Sequence, residues 1–400
     1  DETGTNLTAT EREQLLKLWE TWDAFLVRLL VTIAGRPLSP GDQQLLIDVL
    51  LDARHVFISA FEGQSVDKDI VRVQFVEAWQ QLAPVFRRQL YSQPSENSLG
   101  YLAFFTAADA LTLFDRMGPT FGIEISSQGL LRLAGMLGGG GASLPYKLEI
   151  DPQLRNLLQL GPIDDQTNPM EDIEEIDLDL EESDGEPLTR ILDFLVRPVY
   201  GGELPSFAEI LQWKVPKNKL TEYLDAVRVV LDDASGEVTS KEDFPAFFRP
   251  MFKTLTPAIA WQESCFRQFV VKKNKLTYLL SYNQSSVGLM QINERVWRGI
   301  YDRSRLRWDI HYNARAGCEI IALYLRRYAL KKKSWPSDGD SRLLARTIYA
   351  MYNGGPGQYE KFLARERAGK HYRSDLLFLE KLQWSEKEQW NHIDRCLIGG

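Results

Sequence analysis

Three short stretches in the second half of this 400-residue chain carry residue types that could do chemistry together. The first, residues 258–266, reads AIAWQESCF: Ile259, Trp261 and Phe266 make an apolar face, and Glu263 stands beside it. A carboxyl delivered to such a helix end is partly stripped of water. Desolvation disfavours the charged form and raises the pKa towards the range a general acid needs. Ser264 has no histidine near it in sequence and no Gly-x-Ser-x-Gly elbow, so a nucleophilic serine is rejected. The second stretch, residues 286–293, reads SVGLMQIN. A core helix would not choose Gly288, at roughly 1 kcal/mol, nor the amides of Gln291 and Asn293. A surface loop would not choose Leu289, Met290 and Ile292. The mixture suits the wall of a groove where backbone approaches a ligand. In the third, residues 350–359, AMYNGGPGQY, the run Asn353-Gly354-Gly355-Pro356 ends a helix and leaves Tyr352 and Asn353 with polar tips free to face a cleft.

Other chemistries find little support. His55, His311, His371 and His392 are scattered, and Cys265, Cys318 and Cys396 form no C-x-x-C pair, so no metal site or cofactor is expected. One disulfide plus one free thiol is open to this chain in an oxidising compartment; three isolated buried thiols is the expectation taken. The four glycines at 138–141 lack the Gly-Lys-Ser/Thr of a phosphate-binding loop. The acids of EDIEEIDLDLEESDGE lack the glycine turn and terminal Glu of an EF-hand.

The elements that must position these residues are helices. Apolar residues at three- and four-residue spacing predict helices over 11–34, 40–61, 71–91, 99–117 and 127–137, punctuated by Pro and Gly. Leu45, Val49, Val56 and Ile58 are assigned to a core. Further helices are predicted over 189–196, 206–213 and 219–231, with Trp213, Leu220, Tyr223 and Val227 as a buried stripe. Another runs from about residue 243 towards Glu263, with Pro250 and Pro257 able to break or kink it. The one short β-hairpin allowed is at 277–282, near the groove. The fold class expected is mostly α.

Charge divides the chain. Residues 164–186 hold twelve acids and no Lys, Arg or His; from residue 251 on, 26 bases face 14 acids, a formal +12. The domains predicted are a helical docking or packing domain over 1–147, an acidic linker over 148–187, a helical segment over 188–250 and a catalytic domain over 251–400. Dense like charges repel, which favours a flexible linker, although the alternation of Ile173, Ile176, Leu178 and Leu180 leaves open that it lies against a basic surface. A basic module suits an anionic polymer, nucleic acid or cell-wall glycan. The apolar stretch at 25–34 contains Arg28 and is too short to span a bilayer. The chain starts at Asp1, and a signal segment is presumed removed.

Glu263-Ser264, then GLMQIN at 288–293, then YNGGPG at 352–357, in this order, resemble the catalytic domain of the soluble-type (family 1) lytic transglycosylases, which share the goose-type lysozyme fold. The stretch LRWDIHYNARAGCEIIALYL at 306–325 is similar to the family helix that follows an Asp-Pro-x-x-Asn turn. FLEKLQWSEKEQW at 378–390 is similar to the family's last segment. The resemblance covers about residues 259–390 and implies a lysozyme-like α domain without cofactor or metal. Its substrate would be the glycan strands of peptidoglycan rather than nucleic acid, its place the periplasm or cell envelope. The helical domain would be open to a protein partner. Carried over, Glu263 is the sole catalytic acid and base, and Ser264 helps orient it. Ser286 or Ser285 matches the family serine, Gly288, Met290, Gln291 and Asn293 line the sugar subsites, Tyr352 and Asn353 hold the reacting sugar, and Glu386 matches a late groove glutamate. Two departures stand out: CFRQFVVKKNKLTYLLSYNQSS is longer than the usual segment and lacks its Pro, and Lys387-Glu388 replaces a Thr-Arg.

One carboxylate rather than the usual pair implies an attacking group from the substrate itself. In this family the 6-hydroxyl of N-acetylmuramic acid closes on C1, giving a 1,6-anhydro sugar. Lysozymes of the same fold commonly have Asp where this chain has Asn293, which cannot act as a base. The alternatives are a goose-type lysozyme using Glu294, Asp302 or Asp309 as second carboxylate, and a non-catalytic wall-binding scaffold.

Overall fold

In a computed structural model, residues 7–62, 66–92, 98–121, 125–137, 143–161, 176–177, 220–241, 244–272, 275–331, 335, 340–393 and 396 are described. They divide into two compact units, Asp1–Pro162 with Arg298–Ile300, and Ile163–Trp297 with Tyr301–Gly400. The first boundary thus falls after Pro162, and residues 148–161, expected to open the linker, fold with the first unit. The predicted helices over 189–196 and 206–213, the glycine run and Trp213 lie outside the described residues, as does the acidic run apart from residues 176–177.

The first unit is built from α1 (Ala9–Ala34), α2 (Pro40–Glu62), α3 (Ile70–Ser92), α4 (Ser98–Phe121), α5 (Ser127–Met136) and α6 (Pro152–Leu157). Thr8 and Glu11 close a reciprocal capping box at the start of α1, and Ser126 and Asp151 cap α5 and α6. Its core is aromatic: Trp19 stacks on Phe57 at 4.1 Å, and Trp79 meets Phe104 edge-on at 5.3 Å. The assignment on α2 needs a correction. Val49 and Ile58 are buried as expected, but Val56 is exposed and Leu45 only half-buried, while Leu46, Leu50 and Phe57 are fully buried. Buried within this unit, Asp23 is gripped by two guanidiniums. Arg54 Nε donates to it at 2.7 Å and Arg298 Nε at 2.5 Å. Burial alone would raise the Asp23 pKa, but Arg298 and Arg54 hold it below the usual carboxylate value. A cavity of about 600 Å³ in this unit is lined by Val27, Arg28, Leu144, Lys147 and their neighbours, none of them a predicted site residue.

The second unit carries α7 (Leu220–Thr239), a 3-10 turn (Ala246–Phe248), α8 (Arg249–Ser264), α9 (Arg303–Trp308), α10 (Ile310–Tyr324), α11 (Ser341–Gly354), α12 (Gln358–Arg367) and α13 (Arg373–Glu386). α10 packs along α7, and α8 along α13. Pro250 sits in the first turn of α8, where its missing N–H costs nothing, so the expected break becomes a helix start, and Pro257 is accommodated inside. Tyr223 and Val227 of the predicted stripe are buried on α7. The chain is more β-structured near the groove than expected. Strand β2 (Phe269–Lys272) pairs antiparallel with β3 (Lys275–Tyr278), and β4 (Ser286–Val287) with β5 (Ile292–Asn293). The hairpin therefore begins well before residue 277, because Phe269 and Tyr278 are both buried against Trp308. Strand β1 (Ile176–Asp177) adds to the free edge of β3, Ile176 opposite Leu276 and Asp177 opposite Lys275. Two residues of the acidic run thus belong to a sheet rather than to a free tether.

The cysteine expectation is overturned. Cys265 and Cys396 form a disulfide, and Cys318 alone is a free buried thiol. Across a separation of 131 residues sequence spacing carries no sign of such a pair. No helix among the described residues is long and apolar enough to cross a membrane.

Candidate active site

Glu263 sits in the last turn of α8 because the helix is stopped just beyond it. Cys265 takes the left-handed conformation at φ 57° and Phe266 follows at φ 62°. Their N–H groups return to Trp261 O at 3.0 Å and Ala260 O at 3.2 Å, which satisfies terminal carbonyls. Neither residue is glycine, so the turn is held from outside. Phe266 is fully buried, its carbonyl accepts from Tyr223 Oη at 2.6 Å, and Cys265 is tied to Cys396. Trp261 packs on Trp384 at 5.2 Å and Trp390 at 5.8 Å, fixing the rotation of α8. Ser385 Oγ of α13 donates to Thr254 O at 2.9 Å. Ser264 Oγ donates to Ala260 O and accepts from Arg267 N, both at 3.0 Å, so its hydroxyl is spent inside the helix end.

Glu263 is half-buried as a residue, but its Oε1 is fully enclosed and has no hydrogen-bond partner. Burial pushes its pKa up to about 7, against a smaller opposite pull from a hydrogen bond with Tyr349. The physical cause is loss of solvation without a compensating cation.

The GLMQIN loop answers the composition puzzle of residues 286–293. Gly288 has φ +74°, and a Cβ there would lie 2.5 Å from both Asn313 Nδ2 and Gln268 Oε1. Those two buried amides hold the loop. Gln268 Oε1 accepts from Leu289 N and Asn313 Oδ1 from Met290 N, each at 2.8 Å. Their NH2 groups donate to Leu306 O, Arg307 O and Val287 O, so the two amides tie Leu289 and Met290 to α9 and β4. Met290 does not line an open cleft. Its side chain is fully buried against Gly317 of α10, where a Cβ would come within 2.7 Å of it, and the loop presents its backbone instead. Gln291, at φ 47°, folds its side-chain NH2 back to Gly288 O at 2.8 Å. Asn293 Oδ1 accepts from Arg295 N and Val296 N, and its Nδ2 donates to Ser285 Oγ at 3.1 Å. Of the two candidate serines, Ser285 is thereby joined to the loop by its side chain, while Ser286 contributes its backbone to β4.

α11 brings up the third motif. Asp340 caps its start, and it ends where Gly355 takes φ 84°. Tyr352 Oη donates to Met290 O at 2.7 Å, which locks the second motif to the third. Its phenol pKa is raised well above the usual value by burial and by the Glu263 charge. Asn353 is exposed. Glu386, at the end of α13, is held by Arg342 in a pair with N–O 2.6 Å.

The carboxylates expected above as alternatives for a second catalytic group are committed elsewhere. Glu294 is gripped bidentately by Arg307 at 2.5 and 2.8 Å. Asp302 caps α9 through Arg305 N at 2.7 Å. Asp309 caps α10 through Tyr312 N at 2.9 Å and meets Arg305 at 3.3 Å. No group of His, Cys, Asp and Glu among the described residues has the arrangement of a metal centre.

Sequence reasoning missed Gln268, Tyr349 and the role of Asn313. The first lies outside any motif. Only the impossibility of a side chain at Gly288 signals that something presses on it, and sequence does not say what.

Residues 251–374 match the family profile described as the transglycosylase SLT domain. No curated protein and no solved structure matches the chain.

Proposed function

We infer, on the premise that residues 251–374 carry a transglycosylase SLT domain, that this chain is a peptidoglycan lytic transglycosylase. It cleaves the β-1,4 bond between N-acetylmuramic acid and N-acetylglucosamine without water. Glu263 donates its proton to the glycosidic oxygen, the C1–O bond breaks, and N-acetylglucosamine leaves with a free 4-hydroxyl. The 6-hydroxyl of the same N-acetylmuramic acid then bonds to C1 and returns its proton to the Glu263 carboxylate. Atoms balance with no added molecule, and the released strand ends in 1,6-anhydro-N-acetylmuramic acid. Holding the 6-hydroxyl by C1 replaces a bimolecular attack by an intramolecular one.

The observation that carries this reading is the isolation of Glu263. An acid with pKa about 7 is divided between donor and acceptor forms at neutral pH, which suits a group that must do both. Commitment of Glu294, Asp302 and Asp309 to Arg307, Arg305 and helix caps supports it against the two-carboxylate hydrolase. The substrate places the chain in the cell envelope, and the Cys265–Cys396 disulfide fits an oxidising compartment.

Digestion of purified peptidoglycan, followed by mass spectrometry, tests the proposal. Products are expected one water lighter than hydrolytic ones and resistant to borohydride, since they have no reducing end. Reducing-end muropeptides as the main product would sink it.

A further inference from the structure

Cys265 stands two places after Glu263 and is joined to Cys396, 131 residues further on. Cys396 lies beyond residues 251–374 of the profile match, so the family match assigns no part to this bond. It is one of several contacts by which the last part of the chain converges on the end of α8. Trp384 of α13 and Trp390 of the 3-10 turn Trp390–Ile393 pack on Trp261 at 5.2 and 5.8 Å. Trp390 also meets Phe266 edge-on at 6.4 Å, and the Arg228 guanidinium of α7 lies over its ring at 4.5 Å.

The backbone between these contacts is the part that needs them. Cys265 and Phe266 have φ 57° and 62°, and neither is glycine. Successive left-handed residues with side chains are disfavoured and persist only where the surroundings over-determine them. Phe266 is held by its own burial and by Tyr223 Oη on its carbonyl, and Cys265 is held by its disulfide. The N–H groups of both return to Trp261 O and Ala260 O, in the same last turn that carries Glu263. A turn that relaxes therefore moves the acid.

We propose that the Cys265–Cys396 disulfide is a positioning latch for Glu263, and that its reduction turns the enzyme down. The C-terminal segment holds the left-handed turn, the turn fixes the end of α8, and that end places the acid. The proposal rests on Glu263 being the acid of the reaction inferred above. The bond can be reached from solvent at Cys396, which is exposed, whereas Cys265 is buried. A thiolate of a dithiol reductant attacks Cys396 Sγ, forms a mixed disulfide and releases Cys265 as thiolate. The second thiol of the reductant then displaces Cys396. Two electrons and two protons pass from the dithiol to the pair, and the reductant ends as a cyclic disulfide. Cys318 stays out of the exchange. It is fully buried, and burial pushes its pKa up to about 12, so at neutral pH it is protonated.

Three forms of the full chain test this on purified peptidoglycan: oxidised, reduced by dithiothreitol, and the double variant Cys265→Ser/Cys396→Ser. The temperature is one at which circular dichroism shows all three folded. Reduction is expected to lower kcat about tenfold with KM unchanged, within the range for a displaced catalytic group, and reoxidation to restore it. The double variant should start low and not respond to dithiothreitol. Hydrogen exchange read by mass spectrometry should speed up at Cys265 and Phe266 on reduction. Folded, reduced protein with the oxidised kcat would overturn the proposal, and so would a loss of activity that only follows the unfolded fraction. Trp390→Leu covers the case in which both reduction and the double variant unfold the chain. It keeps the disulfide and removes one support of the turn, so kcat should fall about threefold at unchanged KM, and an unchanged kcat overturns the latch. Faster exchange at the turn beside reducing-end products keeps the latch and removes the transglycosylase reading. Unchanged exchange beside anhydro products removes the latch alone.

Discussion

Asp23 in the first unit and Glu263 in the second are both carboxyls taken out of water, and their pKa values move in opposite directions. Asp23 is met by Arg54 and Arg298, whose charges and three hydrogen bonds outweigh the cost of burial and hold it ionised. Arg54 also donates to Arg298 O at 2.9 Å and Arg298 to Lys147 O at 2.7 Å, so the guanidiniums are occupied on their far sides too. Glu263 is met by a phenol and no cation, and one of its oxygens is left bare. Burial by itself therefore does not make a carboxyl reactive. The missing counter-charge does, because it leaves a proton that can be given away near neutral pH.

The sharpest way to break this contrast is to remove the transferable proton. Glu263→Gln should fold normally and lose activity on peptidoglycan by about a thousandfold, within the range of a lost general acid. A zymogram with near-wild-type clearing by this variant would take Glu263 out of the mechanism. Asp23→Asn is the counterpart, with its damage on the stability axis. Two guanidiniums would stay buried without their anion, and denaturant unfolding should show a loss of about 3–5 kcal/mol. A loss within experimental error would mean that the cluster is not closed to water.

A third test concerns what holds the end of α8. Reduction of Cys265–Cys396 by a dithiol, or the double serine variant, frees a loop of 131 residues and should lower stability by about 2–4 kcal/mol. Identical melting of oxidised and reduced protein would contradict that.

The smallest effect separates the two carboxyls by pH. Glu263 has a folded pKa of about 7 against a model value of 4.5, so between these values the native state binds the extra proton. Its contribution to stability therefore falls as pH rises through that window, by up to about 3 kcal/mol. Relative to the wild type, Glu263→Gln should gain in stability between about pH 5 and about pH 8. Asp23 works the other way: its lowered pKa supplies stability above the unfolded value, lost on acidification. Asp23→Asn should accordingly be less acid-sensitive than the wild type. Parallel stability–pH curves for wild type and Glu263→Gln would show that the acid is not raised.

Much of the helical framework was legible. The spans predicted from periodicity at 11–34, 40–61, 71–91, 99–117 and 127–137 lie within one to four residues of α1 to α5, because long amphipathic helices advertise themselves in three- and four-residue spacing. Burial at the finer grain was legible only in part: on α2, Val49 and Ile58 are buried as expected while Val56 is exposed, since several apolar faces fit the same helix. The strands were underread because they are two to four residues long, shorter than any alternation can establish. In the site, Glu263 was legible from the apolar residues preceding it, and Gly288 from the cost of glycine beside Leu289 and Met290. Met290 was expected at the subsites and is buried on Gly317, because a thioether fits a groove wall and a core equally well.

The sequence by itself determined that the chain is helical, that a lone acid follows an apolar helix face, and that three motifs recur in the order of an SLT domain. These are properties of residue type and local spacing. Only the tertiary structure decided which carboxyls keep a proton, since that depends on which side chains from distant segments arrive beside them. Arg298 reaches Asp23 across the chain, and Arg307 takes Glu294 out of play. No charged group offsets the burial of Glu263, so its pKa is pushed up to about 7.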